Sequence, residues 1–259
     1  MLAEAFDEEC KKYYESSESK AEISYKLDLL GLYKRFLERK YDIYQQEKFQ
    51  VSVSNVAAKE QRERNLKSMR LDHQLLALKM LFNEEKVALF QDNRESSFTV
   101  EQLTRIGIVQ INCEGKLHFI HRTFAEYYVA DCLVNCLTEW NNTSQQIQTF
   151  IFKDIFVEVD YQVIRKFLDG FLSRTNLMME TLKQYGKQIQ DFRTCDDLML
   201  RNAAFEGNVN IIEFLLASVQ AVDHRGKIRE MLLAKDGDGF TAWLIPVVSN
   251  NTQVLEKLW

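Results

Sequence analysis

Cys113, His118 and His121 stand close together in the chain, and all three are residue types that bind zinc. On a strand, residues three apart point to opposite faces, so His118 and His121 cannot easily share one ion. Cys132 and Cys136 lie on an apolar helical face, where small buried thiols are a better reading than a metal or redox pair. With Cys10 and Cys195 the cysteines number five, an odd count without Cys-x-x-Cys spacing. No Ser/His/Asp or Cys/His set has local support, and no Gly-x-x-x-x-Gly-Lys-Ser/Thr phosphate loop occurs anywhere. These residues make no complete enzyme. What remains is anion binding: His121 stands two residues before Thr123, and Thr123 with Glu126 has capping-box spacing. A helix start there carries free N–H groups and a partial positive charge, which suit a phosphate.

The elements that must hold this corner can be read from hydrophobic periodicity. Leu117, Phe119 and His121 alternate as on a strand, whereas Phe124, Tyr127, Tyr128, Cys132, Leu133, Cys136 and Leu137 recur at helical spacing, so a strand feeds directly into a helix. Ile108–Asn112 and Lys116–Ile120 flank Cys113-Glu-Gly115 and read as two strands joined by a short turn. Upstream, Thr99 caps a helix over Val100–Ile106, and Gly107 can supply the left-handed residue that ends it. Asp72 is placed to cap His73–Phe82, and Glu84–Phe90 forms a short helix before the loop Gln91–Ser97. Three helices followed by a two-stranded wing is the winged-helix pattern. Such domains commonly put the third helix into DNA, but Thr99–Ile106 has one Arg and one Glu and lacks the basic stripe that phosphate neutralisation requires.

Leu29, Leu32, Tyr33, Phe36, Leu37, Tyr41 and Tyr44 form an apolar stripe opposite Lys34, Arg35, Glu38 and Arg39, predicting an amphipathic helix with aromatic core residues. Residues 51–70 are polar, and the alternating charges of 59–64 suit an exposed helix or linker. Met1–Phe6 reads as helix and Tyr14–Glu22 as loop. Downstream, residues 150–159 mix helical and strand signals, 163–171 and 178–192 read as helices, and 193–197 is a polar connection. The last region holds an imperfect repeat. Ala203, Ala204, Gly207, Ile211, Ile212, Leu215 and Leu216 mark a small-residue helix, a turn and a second helix, and a related pattern runs from Asp236-Gly-Asp-Gly239 to Leu258.

At 259 residues the chain is long enough for roughly two domains, and its 46% hydrophobic and 27% charged residues can bury a core. A single proline, Pro246, and nine glycines argue for a mainly α fold with tight connections. No apolar run approaches the about 18 residues of a membrane span, and no basic start precedes an apolar core, so a cytoplasmic protein without membrane contact is expected. The net charge of −5 gives no general pull toward nucleic acid.

The stretch from His118 to Ala130 resembles the winged-helix signature of NACHT-type signalling NTPases of the STAND class, Phe-x-His-x-x-Phe-x-Glu-Tyr/Phe before an apolar helix. Phe119, His121, Phe124, Glu126 and Tyr127 match it. Leu29–Tyr44 is similar to the helical domain after the nucleotide-binding core, and the repeats resemble the ankyrin tail of insect-type NACHT proteins. The resemblance implies a helical domain over 1–70, a winged helix over 71–138, a second helical domain over 139–195, and two incomplete ankyrin-like repeats over 196–259. In that family the winged-helix histidine contacts the phosphates of bound ADP and holds the closed, inactive state; carried over, that cofactor-binding role falls on His121. ADP or ATP with Mg is expected only together with the core, which would precede Met1, so the chain is expected to be a fragment or a partial gene model.

The resemblance thus implies a non-catalytic regulatory segment whose repeats bind protein partners, with any oligomer belonging to the full-length protein. A winged-helix nucleic-acid binder and a free-standing ankyrin scaffold are the alternatives. The second repeat departs from the ankyrin pattern, with Ala242 and Leu244 in place of the turn proline and histidine. Pro246 falls at about the fifth helical position, where a proline costs about 3 kcal/mol, so that repeat is expected to be strained or frayed. The turn positions Gly207 and Asn250 are farther apart than the roughly 33-residue ankyrin period, which predicts an insertion between them.

Overall fold

Apolar residues at helical spacing fill most of the chain, and helices form where they recur. A computed structural model describes residues 29–49, 56–90, 99–139, 143–177, 179–191, 196–222, 225–248 and 251–258. The expected helix at Met1–Phe6, the loops at Tyr14–Glu22 and Gln91–Ser97, Cys10, Cys195 and Asn250 lie outside the described residues. The described residues are mainly helical with one two-stranded sheet. No described helix is long and apolar enough to cross a membrane. The chain divides into two compact units, Met1–Val129 and Ala130–Trp259.

Among the described residues the first unit begins with α1 (Leu29–Phe49), which buries Leu30, Tyr33, Phe36, Leu37, Tyr41 and Tyr44 as its stripe predicts. Then comes α2 (Val56–Leu81), a single helix through residues 70 and 71 where the sequence suggested a boundary. Asp72 is therefore a buried helix-interior residue rather than a cap. The reason is local: no Gly or Pro interrupts residues 56–81, and Met69, His73 and Ala77 continue one buried stripe across the expected break. Short α3 (Glu84–Ala88) is capped by Asn83, whose side chain accepts from the Lys86 N–H. A full capping box between Thr99 and Gln102 starts α4 (Val100–Arg105). Gly107 then turns the chain at φ 78°.

Strands β1 (Val109–Ile111) and β2 (Leu117–Phe119) pair antiparallel with Val109 opposite Phe119. Their connection is tied by the Asn112 side chain, which accepts from the N–H groups of Glu114 and Lys116. The strand leads into α5 (Arg122–Thr138), and the division between the two units falls within that helix.

In the second unit, α6 (Gln145–Phe150) runs into a wider π turn at Ile151–Ile155, closed by the Phe156 N–H on the Ile151 carbonyl at 3.1 Å. This explains the mixed signal of the region: the extra residue of a π turn breaks the 3.6 period, so Phe150, Ile151, Phe152, Ile155 and Phe156 are all buried. A 3-10 turn (Val159–Tyr161) precedes α7 (Gln162–Leu172) and α8 (Met179–Asp191). The last helices are α9 (Asp196–Glu206), α10 (Val209–Ala221), α11 (Arg225–Leu233), α12 (Ile245–Val248) and α13 (Thr252–Leu258).

Three sets of contacts tie the helices of this unit together. Gly186 of α8 faces α10 so closely that an added Cβ would stand 2.0 Å from the Ser218 carbonyl oxygen. Arg165, only 1% exposed, donates to Glu206 and to the carbonyls of Ile155 and Glu158, the latter two at 2.6 Å. Asp169 accepts from the Ile211 N–H and the Asn210 amide, both at 2.8 Å, fixing the start of α10. Near the C-terminal end, Asp236 accepts from the N–H groups of Asp238 and Phe240. Thr241 starts a turn by accepting the Leu244 and Ile245 N–H groups, but Pro246 has no N–H for the next bond, and regular helix is limited to Ile245–Val248.

Candidate functional site

The strand-to-helix corner at His121 is assembled by α1 and α5. Phe124 sits between Tyr33 and Phe36, with ring centroids 5.2 and 5.5 Å away, and Tyr127 stacks on Tyr33 at 6.1 Å. The aromatic stripe of α1 thus supplies the bed on which the first turn of α5 rests. Of the five signature positions, Phe119, Phe124, Glu126 and Tyr127 are buried, and His121 alone is exposed. Four hold the corner and one faces out.

The start of α5 differs from the expected capping box. Because α5 begins at Arg122, Thr123 lies inside the first turn, and His121 takes the capping position. The Thr123 N–H donates to His121 Nδ1 at 3.3 Å, and Thr123 Oγ1 lies 2.8 Å from the same nitrogen. Glu126 does not reach back to Thr123; it accepts from Arg122 Nε at 3.0 Å, one turn away on the same helix. Arg122 thereby neutralises a carboxylate that would otherwise oppose an anion at this helix end. The Tyr33 hydroxyl closes the set with a short hydrogen bond to Thr123 Oγ1. Sequence reasoning missed Tyr33 as a site residue. The available signal was a tyrosine in a core stripe, whose hydroxyl needs a partner.

His118 and His121 are not brought together. The His118 ring pairs with Gln110 across the hairpin, Nε2 to Nε2 at 2.9 Å, whereas His121 pairs with Thr123. Among the described residues no group of three His, Cys, Asp or Glu is placed to hold a metal ion. Cys113 is exposed at the hairpin turn, and Cys132 and Cys136 are free, half-buried thiols one turn apart. The hydrogen bond to Cys136 and burial push the Cys132 thiol up, so this sulfur stays protonated. On α4, Arg105 is paired with Glu101 at 2.9 Å, which leaves that helix no unneutralised arginine for a nucleic-acid backbone.

A third histidine, His73, lies wholly buried in the first unit beside Phe119 and Tyr128, whose ring centroids are 6.0 and 5.2 Å away. Its Nδ1–H donates to the Met69 carbonyl at 2.7 Å, which leaves the Nε2 lone pair facing inward without a donor. Burial holds its pKa down to about 4, against the opposing effect of the Met69 bond. Buried and neutral, it belongs to the core.

No family model, no curated protein and no solved structure matches the chain.

Proposed function

We propose that the chain is the non-catalytic, regulatory part of a NACHT-ankyrin switch protein, in which residues 71–138 form a winged helix that senses bound ADP through His121. In this reading α2, α3 and α4 are the three helices, β1 and β2 the wing, and α9 to α13 the ankyrin-like repeats that bind protein partners. The observation that carries it is the division of labour at the corner. Phe119, Phe124, Glu126 and Tyr127 are packed away, while the signature histidine stands exposed at the start of a long helix with its Nδ1 engaged. An imidazole held this way keeps Nε2 for an outside partner, and the nearby helix end favours an anionic one.

The reading requires a nucleotide-binding core, for which these residues hold no phosphate loop, so the test supplies one. A chain in which a NACHT-type core precedes these residues is expected to bind ADP, and His121→Ala should weaken that binding roughly tenfold or more, as for a lost hydrogen bond to a charged group. Equal ADP affinity in the two proteins removes His121 from the mechanism. The 259-residue chain alone should show no ATP hydrolysis in a phosphate-release assay. Steady turnover there overturns the non-catalytic assignment.

A further inference from the structure

We infer that Thr123 and Tyr33 are positioning residues that hold the His121 imidazole as its Nε2–H tautomer, so that Nε2 is the atom offered to a phosphate oxygen. The claim about the phosphate rests on the function proposed above; the claim about the tautomer does not. A backbone N–H can only donate, and that of Thr123 is directed at His121 Nδ1 at 3.3 Å, so Nδ1 must present its lone pair. An Nδ1–H would meet this N–H hydrogen to hydrogen. Thr123 Oγ1, 2.8 Å from the same nitrogen, then points its own hydrogen at Nδ1. Its oxygen is left to accept from the Tyr33 hydroxyl. All the donors run one way, from Tyr33 through Thr123 to His121, and the remaining ring hydrogen is on Nε2.

Each link is held by packing independent of the hydrogen bonds. The Tyr33 ring lies between Phe124 and Tyr127, at 5.2 and 6.1 Å, so its hydroxyl has little freedom to turn away from Thr123. Thr123 sits in the first turn of a 17-residue helix, which fixes its backbone N–H. A neutral imidazole in this tautomer donates to an anion without taking up a second proton. The contact therefore needs no imidazolium.

The test is a long-range proton–nitrogen spectrum of the full chain labelled with nitrogen-15 histidine, with the His121 signals assigned by their loss in His121→Gln. Nδ1 is expected at the shift of an unprotonated ring nitrogen and Nε2 at that of a protonated one. Thr123→Val should move both toward the averaged values of a free imidazole, Tyr33→Phe should move them part of the way, and Thr123→Ser should restore the original pattern. A protonated Nδ1 in the unaltered chain overturns the inference, as do Thr123→Val shifts identical to those of the unaltered chain. If the tautomer is as stated but His121→Ala leaves ADP binding to the core-bearing chain intact, the phosphate contact fails while the role of Thr123 and Tyr33 stands.

Discussion

Two of the three histidines of the first unit, His73 and His121, are placed in opposite ways, one buried and one exposed. His73 has given up water for a ring cage and one bond to the Met69 carbonyl. In the unfolded chain its imidazole takes a proton near pH 6.5, and in the folded chain not until about pH 4. The folded pKa is the lower one, so the unfolded state binds more protons between these values. Stability from this residue is whole above about pH 6.5 and is lost as the pH falls toward 4, on the order of 3 kcal/mol by linkage. Urea midpoints at pH 7, 5.5 and 4.5 should fall together with pH, and His73→Leu should flatten the slope. A variant with the same slope as the parent would show that other groups carry the acid sensitivity. At His121 the strand-to-helix corner could be anticipated, because strand period and helix period are both local. The capping arrangement was not legible, because Thr123 and Glu126 have the spacing of a box, and only the observed helix start shows that His121 takes the cap. Tyr33 was invisible for a different reason, since it meets Thr123 across 90 positions of sequence.

Helices were legible where the evidence for them is short-range. The stripe of α1, the Thr99 cap of α4, the Gly107 stop and the Gly115 turn all stand where periodicity and turn chemistry put them. The continuity of α2 was hidden because Asp is a good capping residue and Asp72 precedes an apolar run, yet a capping type caps only if the chain is not already helical. Element packing was less legible still. Gly186 lies within a helix, where a glycine ordinarily weakens the structure by about 1 kcal/mol relative to Ala. Here it lets α8 approach the backbone of α10 at Ser218. Gly186→Ala should therefore destabilise rather than stabilise, because the added methyl meets a carbonyl oxygen that can yield only if the helices separate. The expected cost is about 1–3 kcal/mol, read from the urea midpoint. An unchanged or higher midpoint would mean that α8 and α10 are not held at this distance in solution.

At the scale of the whole chain, order is unevenly shared between the two ends of the second unit. Tyr185, Phe152, Phe156 and Phe214 form a buried aromatic cluster, with Tyr185 and Phe214 at 4.7 Å and the Tyr185 hydroxyl bonded to the Leu137 carbonyl. Beyond residue 233 the elements are short, Pro246 withholds a helix bond, and Leu244, Val247 and Val248 remain exposed. Brief trypsin or chymotrypsin treatment should cut first within 234–251 and leave the cluster intact. A free-standing repeat scaffold requires the opposite, a resistant piece spanning 196–259. The π turn at Ile151–Ile155 bears on ancestry. Such a turn is what an α-helix becomes when it accommodates one additional residue. The carbonyls of Ile155, at the end of that turn, and of Glu158, just beyond it, accept from Arg165, and Arg165 is balanced by Glu206. Insertion, arginine and glutamate should therefore have been gained and lost together. A descendant lineage that dropped a residue from 151–155 would be expected to have replaced both charges with apolar side chains.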